Sequence, residues 1–136
     1  MLPKELIEYS VWSHLNNYND IQLIILKGHL LLEVILSNVV NNKELSFYAK
    51  TKILSNSIEA KEISKYLFEI NKIRNELAHE WDFSVDKTYL TKWTEKILNN
   101  IPYNVKFKRT YRIKLVHSFA ALASALYKIK ELHPRE

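Results

Sequence analysis

Apolar residues recur every three or four positions over most of this chain, a spacing that places side chains on one face of an α-helix. In the clearest stretch the apolar positions are Ile63, Tyr66, Leu67, Ile70, Ile73 and Leu77. In another they are Leu115, Phe119, Leu122, Leu126 and Ile129, with alanines between them that permit close packing. In two further stretches the same spacing places Leu6 and Tyr48 inward. The pattern therefore predicts helices that share one apolar core.

Capping and turn residues divide this pattern into six predicted helices. We expect them at about residues 3–17, 21–42, 45–54, 57–81, 87–99 and 110–132. Asp20 and Ser57 are placed to cap the second and the fourth of these helices. The segment before the last helix alternates apolar residues at Tyr103, Val105 and Phe107. Because a lone strand without a partner is not viable, we predict an extended linker there.

The second predicted helix is apolar nearly all round, which makes it the central helix of the bundle. Gly28 interrupts it, and a glycine inside a helix costs about 1 kcal/mol relative to alanine. The glycine therefore indicates close approach of another helix or of a second copy of the chain, unless it reflects simple drift. Lys27, His29, Glu33 and Ser37 give this segment too many polar groups for a membrane span.

Composition indicates a helical protein. The chain of 136 residues contains one glycine, three prolines and no cysteine. So few turn-forming residues argue against a β architecture, and the length suits one domain. We expect a single all-α domain over residues 1–136, a compact bundle of five or six helices without disulfides or thiolate metal sites. The N-terminus lacks the features of a signal peptide, so we expect a cytoplasmic protein that does not enter a membrane.

Positive charge is concentrated in the last third of the chain. The net charge is +5, yet residues 86–130 hold ten basic residues against two acidic ones. The tightest basic cluster, interleaved with aromatic residues, consists of Lys106, Lys108, Arg109, Arg112 and Lys114. We predict that this cluster contacts the phosphates of RNA. The alternative, which we favour for the lysines scattered over residues 87–96, is that they only make the surface soluble.

A polar edge follows the fourth predicted helix on the side opposite its apolar face. Asn71, Asn75 and His79 stand at four-residue spacing, and the side chain of Arg74 is long enough to reach them. A histidine can transfer protons near neutral pH, an arginine can hold phosphate oxygens, and an asparagine can orient either group. Arg74, Asn75 and His79 are therefore candidate catalytic residues. The structural alternative is that Arg74 pairs with an acid such as Glu33 while the other two cap the helix end.

His29 and Glu33 stand one helical turn apart, a spacing that permits a hydrogen bond or two ligands of one metal. Because no further ligand follows at a recognisable spacing, we predict no metal site. We expect instead either a buried polar pair or a role for Glu33 in orienting Arg74 and His79.

The run Arg74-Asn75-Glu76-Leu77-Ala78-His79 resembles the Arg-polar-x3-His signature of the HEPN superfamily. The resemblance extends to residues 27–33, to residues 45–50 and to the order of the helices, so it covers most of the chain. It implies a metal-independent endoribonuclease without a cofactor, in which Arg74 and His79 are catalytic, Asn75 supports them, and cleavage leaves a 2′,3′-cyclic phosphate.

The same resemblance implies partners. In HEPN ribonucleases two protomers join their signature helices into one cleft, so a homodimer that binds RNA is expected. Some relatives are toxins or phage-defence proteins held inactive by an antitoxin or another regulatory protein. Others, such as the mannitol repressor proteins, are non-catalytic interaction modules, and that is the alternative function.

Overall fold

The computed structural model describes residues 4–79, 87–102 and 110–132, which form six α-helices and no strand. The helices are α1 (Lys4–Leu15), α2 (Ile21–Val40), α3 (Phe47–Leu54), α4 (Lys61–His79), α5 (Lys87–Asn100) and α6 (Tyr111–Leu132), with a short 3₁₀ turn at Ile58–Ala60. They pack against one another around one core of buried apolar residues. The prediction of a compact all-α bundle is confirmed. Residues 80–86 and 103–109 lie outside the described part of the chain, and the predicted linker falls in the second of these segments.

Local sequence explains several helix ends. Asp20 caps α2, as expected, because its side chain accepts a hydrogen bond from the backbone N–H of Gln22. Ser46 caps α3 in the same way, so this helix begins two residues later than the predicted Leu45. Ser57 makes no capping hydrogen bond, and the chain first forms the 3₁₀ turn before α4 begins at Lys61.

α6 lies at the centre of the bundle beside α2. Its buried face contains all five of the predicted residues, from Leu115 to Ile129. α1 runs antiparallel to it, since Arg112 at the start of α6 contacts Asn16 just after α1, whereas Ser124 farther along α6 contacts Glu8 within α1. Gly28 of α2 lies directly against the ring of Phe119, which identifies α6 as the helix that approaches closely there.

The apolar stripe of α4 is also buried as predicted, except for the half-buried Ile63. α5 packs antiparallel against α4, where the indole N–H of Trp93 donates a 3.0 Å hydrogen bond to the carbonyl oxygen of Tyr66. Lys96 forms an ion pair with Glu69 on the outer side of the same helix pair. These contacts fix the helix that carries the signature residues.

Some residues predicted to point inward do not. Leu6 is 48% exposed and Tyr48 is 53% exposed, because α1 and α3 are outer helices covered on one side only. Asn71, expected on the polar edge of α4, is instead buried. Among the described helices, α2 alone is long and apolar enough to cross a membrane, a property it shares with core helices.

Candidate functional site

Two of the three candidate catalytic residues, Arg74 and Asn75, line a pocket of about 280 Å³ between α2, α3 and α4. Two of its walls are formed by α2 and α4, and the third is formed by the N-terminus of α3, which Ser46 caps. The lining residues are His29, Glu33, Ser46, Phe47, Tyr48, Asn71, Arg74 and Asn75. The fold thus brings Glu33, Arg74 and Asn75 together although they come from two helices far apart in the sequence.

A buried hydrogen bond joins two walls of the pocket. The Nε2 atom of His29 lies 3.0 Å from the Oδ1 atom of Asn71, so Nε2 carries the hydrogen in this pairing. The His29 ring also stacks on Phe47, with 4.1 Å between ring centroids. The expected pairing of His29 with Glu33 is replaced by this contact. Asn71 lies 42 positions from His29 along the chain, so local spacing does not reveal the pair.

Burial lowers the pKa of His29 below its ordinary value, and the positive charge of Arg74 lowers it further. The hydrogen bond with Asn71 and the negative charge of Glu33 act in the opposite direction but do not outweigh burial. His29 is therefore neutral near pH 7. It holds the pocket walls together rather than supplying charge to a ligand.

Glu33 faces a buried lysine. The Nζ atom of Lys50 lies 3.6 Å from the Oε2 atom of Glu33, and it donates a 2.7 Å hydrogen bond to the hydroxyl of Ser37. Lys50 is almost fully buried, whereas the Glu33 side chain is 35% exposed. Because a buried ammonium group needs a counter-charge, Lys50 pairs with Glu33 and so positions its carboxylate at the pocket wall.

Arg74 is half-buried and its closest polar contact is weak. Its guanidinium donates a 3.4 Å hydrogen bond to the side-chain oxygen of the adjacent Asn75. Within the described part of the chain it forms no ion pair, since Glu33 pairs with Lys50 and Glu69 with Lys96. The structural alternative in which Arg74 neutralises one of these acids therefore does not hold. α4 ends at His79, whose side chain lies outside the described residues.

Four lining residues were not assigned to a site from the sequence, namely Ser46, Phe47, Tyr48 and Asn71, although Asn71 was expected on the polar edge of α4. Ser46 was detectable as a capping residue before an apolar run, although not as a pocket residue. Tyr48 fits the apolar period of α3, and this period predicts a core position for it. Its ring instead lies at the pocket edge, 5.3 Å from the ring of Phe68 between centroids.

The predicted basic cluster is described only in part. Lys106, Lys108 and Arg109 fall outside the described residues, while Lys114 is half-buried on the first turn of α6. Arg112 donates to the carbonyl oxygen of Tyr18 at 3.0 Å and to the side chain of Asn16 at 2.9 Å. Arg112 therefore connects α6 to the segment between α1 and α2. These two hydrogen bonds use part of the donor capacity of its guanidinium within the protein.

The pocket and Arg112 are well separated. Tyr18, which Arg112 contacts, precedes the start of α2, whereas Glu33 of the pocket lies well inside that helix. About 18 Å of helix axis therefore separates the start of α2 from Glu33. An RNA strand bound at both places would have to span several nucleotides. Among the described residues, no group of three or more His, Cys, Asp or Glu side chains is placed to hold a metal ion.

Comparison of the chain with models of protein families, with curated proteins and with solved structures finds no match.

Proposed function

We propose that the protein is a metal-independent endoribonuclease of the HEPN kind, with Arg74 and His79 as its catalytic residues and Asn75 in support. The observation that carries the proposal is the state of Arg74. Its guanidinium borders a solvent-accessible pocket and is paired with none of the described acids. A half-buried cation without a counter-charge attracts an anion, and a phosphodiester fits the paired donors of a guanidinium.

The proposed reaction requires only a few functional groups. The 2′-oxygen of one ribose attacks the adjacent phosphorus and loses its proton, while the 5′-oxygen of the next nucleotide leaves and gains one. Arg74 stabilises the negative charge that develops on the phosphate oxygens. His79 carries one of the two protons, and Asn75, whose side-chain oxygen accepts from Arg74, aims the guanidinium. The products are a 2′,3′-cyclic phosphate and a 5′-hydroxyl.

The first test is RNA cleavage by the purified protein in EDTA, compared with His79→Ala. We expect the wild type to release fragments with cyclic phosphate ends, and the variant to lose this activity while keeping its helical circular dichroism spectrum. Equal cleavage by both proteins would point to a contaminating nuclease. A wild type that cleaves no RNA under any tested condition would refute the proposal.

A homodimer is part of the proposal, and α2 offers a surface for it. Leu26, Leu30 and Val34 stand at four-residue spacing on the solvent side of this helix and are 40%, 55% and 57% exposed. This apolar stripe lies on the face of α2 next to the face that lines the pocket, since the lining residues His29 and Glu33 each stand one position before a stripe residue. Exposed apolar side chains aligned along one helix are typical of interaction surfaces. A second copy bound here would bring its own pocket close to the first.

We therefore expect the wild type to sediment as a dimer at micromolar concentration and Leu30→Glu to sediment as a monomer, because a carboxylate at the centre of the stripe would be buried without a partner. Ile58→Glu is the matched control, because Ile58 is 86% exposed and lies outside the stripe. Dimers of unchanged stability in Leu30→Glu would exclude the stripe as the interface.

The exposed stripe also favours a second candidate function, a non-catalytic module that binds a regulatory protein through the same surface. An antitoxin that covers this stripe would combine the two possibilities. The RNA cleavage assay distinguishes the two candidates, because a non-catalytic module cleaves no RNA. Such a module would also bind its partner whether or not Arg74 and His79 are intact.

A further inference from the structure

We propose that the pocket holds a nucleobase and that the carboxylate of Glu33 selects guanine. This inference rests on the proposed function, because it takes the base to belong to the nucleotide whose phosphate lies at Arg74. It adds a specificity-determining residue and a preferred base to that site.

The pocket has a positive and a negative side. Arg74 and Glu33 both line it, and both act electrostatically on His29, with opposite effects on its pKa. A phosphate alone would be attracted by the guanidinium and repelled by the carboxylate. A nucleotide suits both groups, because it carries negative charge at its phosphate and hydrogen-bond donors at its base.

Glu33 has acceptor capacity to spare. Its side chain is 35% exposed, its contact with Lys50 is 3.6 Å long, and no described group donates a hydrogen bond to its carboxylate oxygens. An ionised carboxylate can only accept, so the matching ligand must donate. Guanine presents two adjacent donors, N1–H and the N2 amino group, which fit the two oxygens of a carboxylate. Uracil presents one N–H between two carbonyl oxygens, which the carboxylate would repel.

The remaining walls suit a flat aromatic ligand. Tyr48 is 53% exposed at the pocket edge, where its ring can contact a base, and aromatic stacking is the common way to hold an unpaired RNA base. Asn75 is exposed and can donate to a base oxygen. A volume of about 280 Å³ lies just below the range of roughly 300–1,000 Å³ for pockets that enclose drug-sized ligands. It therefore suits one base rather than a stacked pair.

Binding of nucleoside monophosphates tests the inference without requiring catalysis. We expect guanosine monophosphate to bind about tenfold more tightly than uridine monophosphate, as for a bidentate base contact. Inosine monophosphate, which lacks the N2 amino group, should fall between them. Glu33→Gln should remove the preference, because an amide presents only one acceptor. Glu44→Gln is the matched control, since Glu44 is exposed and does not line this pocket.

The wild-type preference keeps the inference testable even if Glu33→Gln fails to fold beside the buried Lys50. Equal binding of the four common nucleoside monophosphates by the wild type would overturn it. Cleavage mapping then separates this inference from the proposed function. Cleavage of RNA without preference for guanine at the cut would sustain the ribonuclease and refute the guanine pocket. Guanine-selective binding of mononucleotides without any RNA cleavage would sustain the pocket, but as a site for a free nucleotide.

Discussion

Gly28→Val is expected to lower the free energy of unfolding by about 3 kcal/mol, near the upper end of the usual cost of overpacking a core. A Cβ atom at this position would lie 2.5 Å from the Cδ1 atom of Phe119 and 2.7 Å from Cγ. Phe119 cannot turn away cheaply, because it is fully buried and its ring packs against Trp93 with centroids 5.2 Å apart. Denaturant unfolding followed by circular dichroism measures the difference.

A second substitution makes the Gly28 prediction specific. Phe119→Leu should be destabilising alone, but combined with Gly28→Val it should cost less than the sum of the two single changes, because the smaller side chain admits the new methyl groups. Lys27→Val is the matched control for placing a β-branched residue on α2, since Lys27 neighbours Gly28, is only half-buried and lies outside the apolar stripe of the proposed dimer interface. If Gly28→Val were as stable as this control, the close approach of α2 and α6 would be wrong.

The sequence identified the parts of the fold that depend on periodicity. The stripes of α4 and α6 are buried almost residue for residue, because long amphipathic helices leave one way to cover an apolar face. Gly28 indicated a close approach but left open whether the neighbour was another helix or a second copy. Only the packing of α2 beside α6 decides this, and it places Phe119 there.

The pocket could not be predicted from the spacing of residues along the sequence. Its walls come from three helices, and the pairing of His29 with Asn71 joins two of them. Periodicity placed Tyr48 inward, since it cannot register that α3 is covered on one side only. The signature residues Arg74 and Asn75 were found because chemistry as well as position marked them. That they share a pocket with Glu33 follows only from the relative placement of α2 and α4.

Arg74→Ala is expected to reduce kcat/KM for RNA cleavage by about 100-fold to 1,000-fold, as when a charge-stabilising donor is removed from other active sites. The reason is that Arg74 is the candidate phosphate-binding group at the pocket and would act most strongly when charge develops in the transition state. Arg74→Lys keeps the charge without the paired donors, so it should retain only part of the activity. Initial cleavage rates of a short RNA at several concentrations measure both variants.

The stability of Arg74→Ala separates a catalytic role from a structural one. Arg74 is half-buried and its one described hydrogen bond, to Asn75, is 3.4 Å long, so its removal should change the free energy of unfolding by less than about 0.5 kcal/mol. Lys65→Ala is the matched control, because it removes an exposed positive charge from the same helix outside the pocket. If both variants lost activity equally, Arg74 would contribute only to the general attraction of RNA. If Arg74→Ala lost activity in proportion to lost stability, the guanidinium would be part of the scaffold, and the catalytic assignment would fail.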